Sequence, residues 1–224
     1  MLTPTPIIER TRLDPPPPPT AFRSEPESFL PSSVPMNFAR NTEIFAEGEK
    51  AGYVYKLVSG VVRVSQLLPD GRRQISAFHL PGDMFGFEVD DVHHASAEAI
   101  VPVKVVAFKW HSLLSATASS GFVHELLNRT MIGLRQTQDH LLLLGRKNAL
   151  ERLSAFLVEM ARRSHSDGIL ELAMPRHDIA DYLGLTLETV SRMFAELKET
   201  GVIKLESARR VNVCDMAKLE ALAA

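Results

Sequence analysis

Cysteine is nearly absent from this chain, which holds one, Cys214. A single thiol closes no disulfide within the chain and builds no cysteine metal cluster. No apolar run reaches the ~18 residues that a membrane-spanning helix needs. The opening residues, rich in Pro, Thr, Glu and Arg, lack the apolar stretch of a signal peptide, so a cytoplasmic protein is expected. An excess of charge of one sign is missing as well. The 25 Lys+Arg stand against 27 Asp+Glu, a formal net charge of −2. Residues 146–224 carry equal numbers of basic and acidic side chains. Bulk attraction to a polyanion is therefore excluded as a driving force. Any affinity for nucleic acid must come from local placement of residues such as Arg176, Arg192, Lys204, Arg209 and Arg210.

What is present falls into four parts. Residues 1–35 contain five consecutive prolines, Pro15 to Pro19, with others at 4, 6, 26, 31 and 35. That composition resists helix and sheet alike and reads as a disordered leader. Residues 36–117 hold short β-rich runs at 54–58, 61–64, 74–78 and 103–108. Glu47-Gly48, Ser59-Gly60, Pro69-Asp70-Gly71 and Pro81-Gly82-Asp83 punctuate them. Such spacing implies an antiparallel sandwich or barrel, and Pro69-Asp70-Gly71 predicts a hairpin. Residues 118–146 read as one long helix. Leu127, Leu134 and Leu141 recur every seventh position, and Val123, Thr130, Thr137 and Leu144 fill the alternate positions of a 4-3 seam. A narrow seam of this kind fits a partner helix, and symmetry makes a two-fold homodimer the natural product. Residues 147–224 form a helical unit that ends in a strand-turn-strand.

Within that last part, 175–199 reads as two short helices joined by a tight turn. Ile179, Ala180 and Leu183 give the first an apolar stripe, and Gly184 ends it. Thr186 is the predicted N-cap of the second, whose buried face is Val190, Phe194 and Leu197. Leu187, Glu188, Ser191 and Arg192 are left on the outer face near the helix N-terminus. In a DNA-binding helix-turn-helix those positions meet base edges. A Glu carboxylate accepts from cytosine, an Arg guanidinium pairs bidentately with guanine, and Ser contacts several bases. Glu188 and Arg192, four apart, are expected to brace each other. A wing with Arg209 at its tip would touch phosphates, as would Arg176.

Three stretches carry a family resemblance: Asp181 to Arg192, Gln138 to Leu153, and Leu80 to Phe87. Together they resemble the CRP/FNR superfamily of bacterial transcription factors, and Glu188, Ser191 and Arg192 match the signature of its FNR and FixK branch. The resemblance spans roughly residues 40–215. It implies an α+β protein with an N-terminal β jelly roll like a cyclic-nucleotide-binding domain, a long dimerisation helix and a C-terminal winged helix-turn-helix. It also implies a homodimer that binds a TTGA-like palindrome in double-stranded DNA and meets RNA polymerase through the loop of Asp90 and Asp91, most often as an activator. Val123, Leu127, Leu134, Leu141 and Leu144 would make the dimer. The sequence departs from the nucleotide-binding members of the family. Where their Arg-Ser pair holds a cyclic phosphate, this chain has His94 or Ala95 and no arginine. One cysteine also cannot ligate an iron–sulfur cluster. No cofactor and no enzymatic activity are therefore expected. The alternative is a roll that senses haem or a small molecule, with His79, His93, His94 and His111 as the residues to examine. The ending Ala221-Leu222-Ala223-Ala224 resembles the tags gripped by Clp-type proteases, set against an ordinary frayed helix end.

Overall fold

The computed structural model describes residues 33–110, 120–164 and 168–224. The proline-rich leader up to residue 32, residues 111–119 with His111, and residues 165–167 lie outside them, as does the side chain of Val123. Eight strands form the N-terminal unit: β1 (Ser33–Phe38), β2 (Glu43–Phe45), β3 (Tyr53–Ser59), β4 (Val62–Leu67), β5 (Arg73–His79), β6 (Met84–Phe85), β7 (Ser96–Ala99) and β8 (Val103–Lys109). They make two four-stranded sheets, ordered β1-β8-β3-β6 and β2-β7-β4-β5. Leu57, Val103, Val105 and Ala107 of one sheet and Phe45, Val62, Ala97 and Ala99 of the other share one buried cluster. The sheets therefore face each other across a common core, as in a jelly roll. The predicted hairpin joins β4 to β5, with the Asp70 carboxylate accepting from the Arg72 amide at 3.0 Å. The leader expected to end at residue 35 in fact ends earlier, because Ser33 to Pro35 already pair with β8. Pro35 is tolerated there because β1 is an edge strand, where a missing N–H need not break the ladder.

A 27-residue helix, α1 (Ser120–Arg146), follows. Beyond it come α2 (Ala149–Ser164), β9 (Ile169–Glu171), α3 (Arg176–Leu183), α4 (Leu187–Glu199), β10 (Ile203–Leu205), β11 (Arg210–Val213) and α5 (Met216–Ala223). The wing is three-stranded, ordered β10-β11-β9. No helix among the described residues is long and apolar enough to cross a membrane. Phe156, Leu157, Leu183, Val190, Phe194 and Leu197, all 0–2% exposed, anchor the core of this unit. That core continues into the roll, where Phe78 lies 5.1 Å from the Tyr182 ring and 6.2 Å from Phe156.

Gly184 ends α3 in the left-handed region, at φ 61°, with its N–H donated back to the Ala180 carbonyl. A Cβ there would stand 3.4 Å from Leu144. Gly133, inside α1, has open space where a Cβ would go. Gly184→Ala is expected to destabilise the protein by about 1–2 kcal/mol, since an L side chain resists this conformation. Gly133→Ala should stabilise it by roughly 0.5–1 kcal/mol by removing helix-interior backbone freedom. Urea unfolding of the two variants, followed by circular dichroism, checks the opposite signs.

Candidate nucleic-acid interface

α3 and α4 meet through a turn held at both sides. Leu185 folds back with its N–H on the Ala180 carbonyl at 3.0 Å and packs on the core. Thr186 caps α4, its hydroxyl accepting from the Thr189 amide at 3.2 Å. With Val190, Phe194 and Leu197 buried, the opposite face of α4 is open to solvent. Leu187, Glu188, Ser191 and Arg192 are all exposed there, within the first two turns. The helix N-terminus gives this face a partial positive charge that suits a phosphate-lined groove.

Glu188 does not brace Arg192 as its spacing suggests. The Glu188 carboxyl is held below the usual carboxylate range first by its own backbone N–H, next by the Thr186 hydroxyl, and only then by the charge of Arg192. Arg192 instead reaches the Thr189 hydroxyl at 3.5 Å. The helix end has drawn the carboxylate toward its orphan N–H groups. The guanidinium remains on the exposed face, available for planar, two-point pairing.

Arg176 opens α3 and is only partly exposed. Its guanidinium carbon sits 3.0 Å from the centroid of the Phe194 ring. Burial pushes its pKa down to about 10, so it is still charged at neutral pH. It therefore ties the two helices together as well as offering a cation. The wing tip also divides its arginines. Arg210 is engaged by Glu206 at 3.0 Å and Glu171 at 3.3 Å. Arg209 lies in the turn between β10 and β11, its amide on the Ser207 hydroxyl at 3.2 Å.

A helix-turn-helix and wing of this kind, joined to a jelly roll, is what the comparisons find. The profile of the Crp-like helix-turn-helix domain matches residues 151–222, and that of the cyclic nucleotide-binding domain matches 35–120. The chain is 48% identical over 209 residues to the nitrogen fixation regulation protein FixK of Azorhizobium caulinodans, covering 88% of this chain and 84% of that one. It is 44% identical over 180 residues to the FixK of Rhizobium meliloti, covering 80% and 81%. It belongs to the CRP/FNR superfamily, in the FixK branch. The solved structure of FixK2 from Bradyrhizobium japonicum superposes with a TM-score of 0.82 at 44% identity, over 86% of this chain and 98% of that one. As a FixK-type protein the chain is a transcription regulator with a helix-turn-helix DNA-binding domain.

The other residues expected to matter are distributed as follows. Along α1, Leu127 (53% exposed), Leu134 (53%) and Leu141 (65%) form an open apolar stripe. Met131, 56% exposed and overlooked in the heptad reading, completes it. Leu144 does not continue the stripe: it turns onto the core of the winged unit, against Gly184. The drift of a straight helix against a seven-residue repeat moves the end of the seam off the open face. Thr130 and Thr137 donate their hydroxyls back to the Leu126 and Gly133 carbonyls, at 2.9 and 3.0 Å. In the roll, Asp90 and Asp91 are exposed, and Asp90 holds His94 at 3.0 Å. His93 is buried, stacked on Phe45, and His79 is stacked on Phe85, so the described histidines point to different neighbours. A cavity of about 700 Å³ lies between the roll and α1, with Ala95, Phe85, Arg129, Thr130 and His140 among its walls. The Ala-rich C-terminus is helical in α5, with Leu219 buried and Lys147 donating to the Ala223 and Ala224 carbonyls. Sequence reading had no signal for Arg63, Arg73 and Asp178, which join the roll to α3 across more than a hundred residues.

Arg176→Ala should affect two quantities. Loss of a cation over an aromatic face costs about 0.5–2 kcal/mol of stability. DNA affinity should fall in addition, equally for specific and unrelated sequences if the lost contact is to phosphate. Thermal unfolding and a salt-dependent binding series measured on the same preparation separate the two effects.

Proposed function

We propose that this regulator is a cytoplasmic homodimer and a transcriptional activator rather than an enzyme. It would bind a palindrome with TTGA-like half-sites and need neither an iron–sulfur cluster nor a cyclic nucleotide. The observation that carries the reading is the exposed face of Leu187, Glu188, Ser191 and Arg192 at the start of a rigidly capped helix. Arg192 reads the guanine of the half-site and Glu188 accepts from a cytosine; Leu187 touches a thymine methyl group, with Ser191 beside it. The two half-sites lie about one helical turn (~34 Å) apart, matching a two-fold dimer. Arg209 and Arg176 contact phosphates and give no sequence information.

The absence of a guanidinium at His94-Ala95 supports independence from cyclic nucleotide, because planar bidentate capture of a phosphate is what that position supplies. Asp90 and Asp91, exposed in the roll, are the acidic surface offered to RNA polymerase. A Clp-type protease would grip Ala223 and Ala224 only after α5 had left the core, because Leu219 anchors that helix. A second reading, a roll that senses haem or a small molecule, has one observation in its favour: the cavity between the roll and α1, whose walls include His79, Met84 and His140. Absorption spectra of the purified protein with and without added haem distinguish the two.

The decisive experiment is affinity on a panel of half-site variants at two salt concentrations, with aerobically purified protein and no added iron or nucleotide. Arg192→Ala should lose roughly 1–3 kcal/mol of base discrimination per half-site, while its salt-dependent non-specific binding stays. Arg209→Ala should weaken binding to all sequences about equally and flatten the salt dependence. Retained preference for the guanine in Arg192→Ala would show that α4 is not the reading helix.

The dimer has its own test. A charge in the middle of an apolar seam would have to be desolvated beside its symmetry copy. Leu134→Asp should therefore give monomers by analytical ultracentrifugation, with weak DNA binding. A variant that sediments as a dimer places the interface away from α1.

A further inference from the structure

Asp178 stands in the first turn of α3, and its side chain is only 2% exposed. A carboxylate taken so far from water must be matched by charge and by hydrogen bonds. Both partners come from the roll. Arg63 of β4 donates to Oδ2 at 2.6 Å, and Arg73 of β5 donates to Oδ1 at 2.6 Å. Each guanidinium also reaches a second carboxylate, while the Nε–H of Arg63 is buried without a hydrogen-bond partner among the described residues. Arg63 reaches Glu98 of β7 at 2.7 Å, and Arg73 reaches Asp181 of α3 at 2.8 Å. The result is a single line of alternating charge, Glu98–Arg63–Asp178–Arg73–Asp181, running from the roll into the helix-turn-helix. Burial works against the charge of Arg63, but its hydrogen bonds to Glu98 and Asp178 outweigh that and hold its pKa above the ordinary value.

The geometry of this line is directional. A guanidinium is a flat fork whose donors point in set directions. A shift of α3 by an ångström or two would break both forks on Asp178 and strand a buried charge. The ring contacts of Phe78 with Tyr182 and Phe156, by contrast, tolerate sliding. Arg163 of α2 adds a further tie to Asp83 and to the Phe78 carbonyl. Along the chain, the winged unit is joined to α1 only through the short connection at 147–148. Because α3 and α4 share one core, the orientation of α3 is also the orientation of the reading helix.

We infer that Arg63, Arg73 and Asp178 are positioning residues that fix the angle of the reading helix on the roll and so set the half-site separation the dimer accepts. This rests on the palindrome reading given above. The clamp uses the chain's own charges for the task of orienting the DNA-binding unit, so that a fixed orientation needs no bound molecule.

The test uses the full chain on duplexes carrying two half-sites whose separation is varied by one or two base pairs on either side of the preferred value. Asp178→Asn keeps the shape and removes the charge. It should lose roughly tenfold or more at the preferred separation, within the usual range of coupling between sites. It should lose little at the others, so the spacing preference flattens. Arg73→Lys keeps the charge but cannot span Asp178 and Asp181 with one fork, and it should flatten the preference part of the way. Circular dichroism and sedimentation confirm that each variant is folded and dimeric, and if Asp178→Asn is not, Arg73→Lys decides the matter on the same panel. An equal loss at every separation would mean the cluster serves stability alone, and an unchanged preference would mean that it sets nothing; either overturns the inference. If the unmodified protein does not distinguish the palindrome from scrambled DNA, it is the palindrome reading that fails, and the inference with it.

Discussion

Two helices end against the same guanidinium. Arg152, on α2, donates to the Leu144 carbonyl in the last turn of α1, to the Lys147 carbonyl just beyond it and to the Leu183 carbonyl at the end of α3, all at 2.9 Å. The last turn of a helix leaves carbonyls without intrahelical partners, and a negative dipole end with them. One cation answers both at two helix ends. The joint between the long helix and the helix-turn-helix is therefore a fixed corner and not a loose link. Leu144 packs into that corner, beside Gly184. The left-handed backbone at the corner explains the glycine, and the core it packs on takes Leu144 away from the exposed stripe.

With the corner fixed, chemistry that looks unremarkable in bulk becomes usable locally. The winged half of the chain carries no excess of either sign. Its cations are nevertheless sorted by their neighbours: Arg210 is held by two carboxylates, Arg152 by three carbonyls, and Arg176 by an aromatic face. Arg192 is left on the open side of α4. A net-charge argument cannot see this sorting. A groove that meets α4 encounters an exposed guanidinium in a defined place, and not a diffuse positive field.

The parts of the fold that were legible in the sequence are those with local causes. The turn between α3 and α4 needs a left-handed residue and a hydroxyl cap, and Gly184 and Thr186 announce both. Strands β3, β4, β5 and β8 are long enough, and branched enough, to be read directly. β7 is Ser-Ala-Glu-Ala, a poor strand by propensity, and exists because β2 and β4 pair with it on either side. β9 and α5 likewise depend on partners distant in sequence: β11 for the one, α2 for the other. The exposed face of α4 was legible because it follows from the spacing of buried residues in a single helix. The contact between Arg63 and Asp178 was not, since 115 residues separate them and neither stands in a pattern. Arg176 was legible as a cation but not as a partner of Phe194, which only the packing of α3 on α4 creates.

The composition of α1 has a further consequence. The helix carries an internal glycine, two threonines whose hydroxyls bond back along it, and a row of leucines facing water. Such a segment holds its shape poorly alone, and a helix of this kind draws most of its stability from what packs on its apolar face. In the proposed dimer, folding and association then draw on the same free energy, and mass action enters both. The amount of assembled regulator would rise more steeply than the amount of chain made. In that dimer, modest changes in synthesis or turnover would be amplified at the promoter.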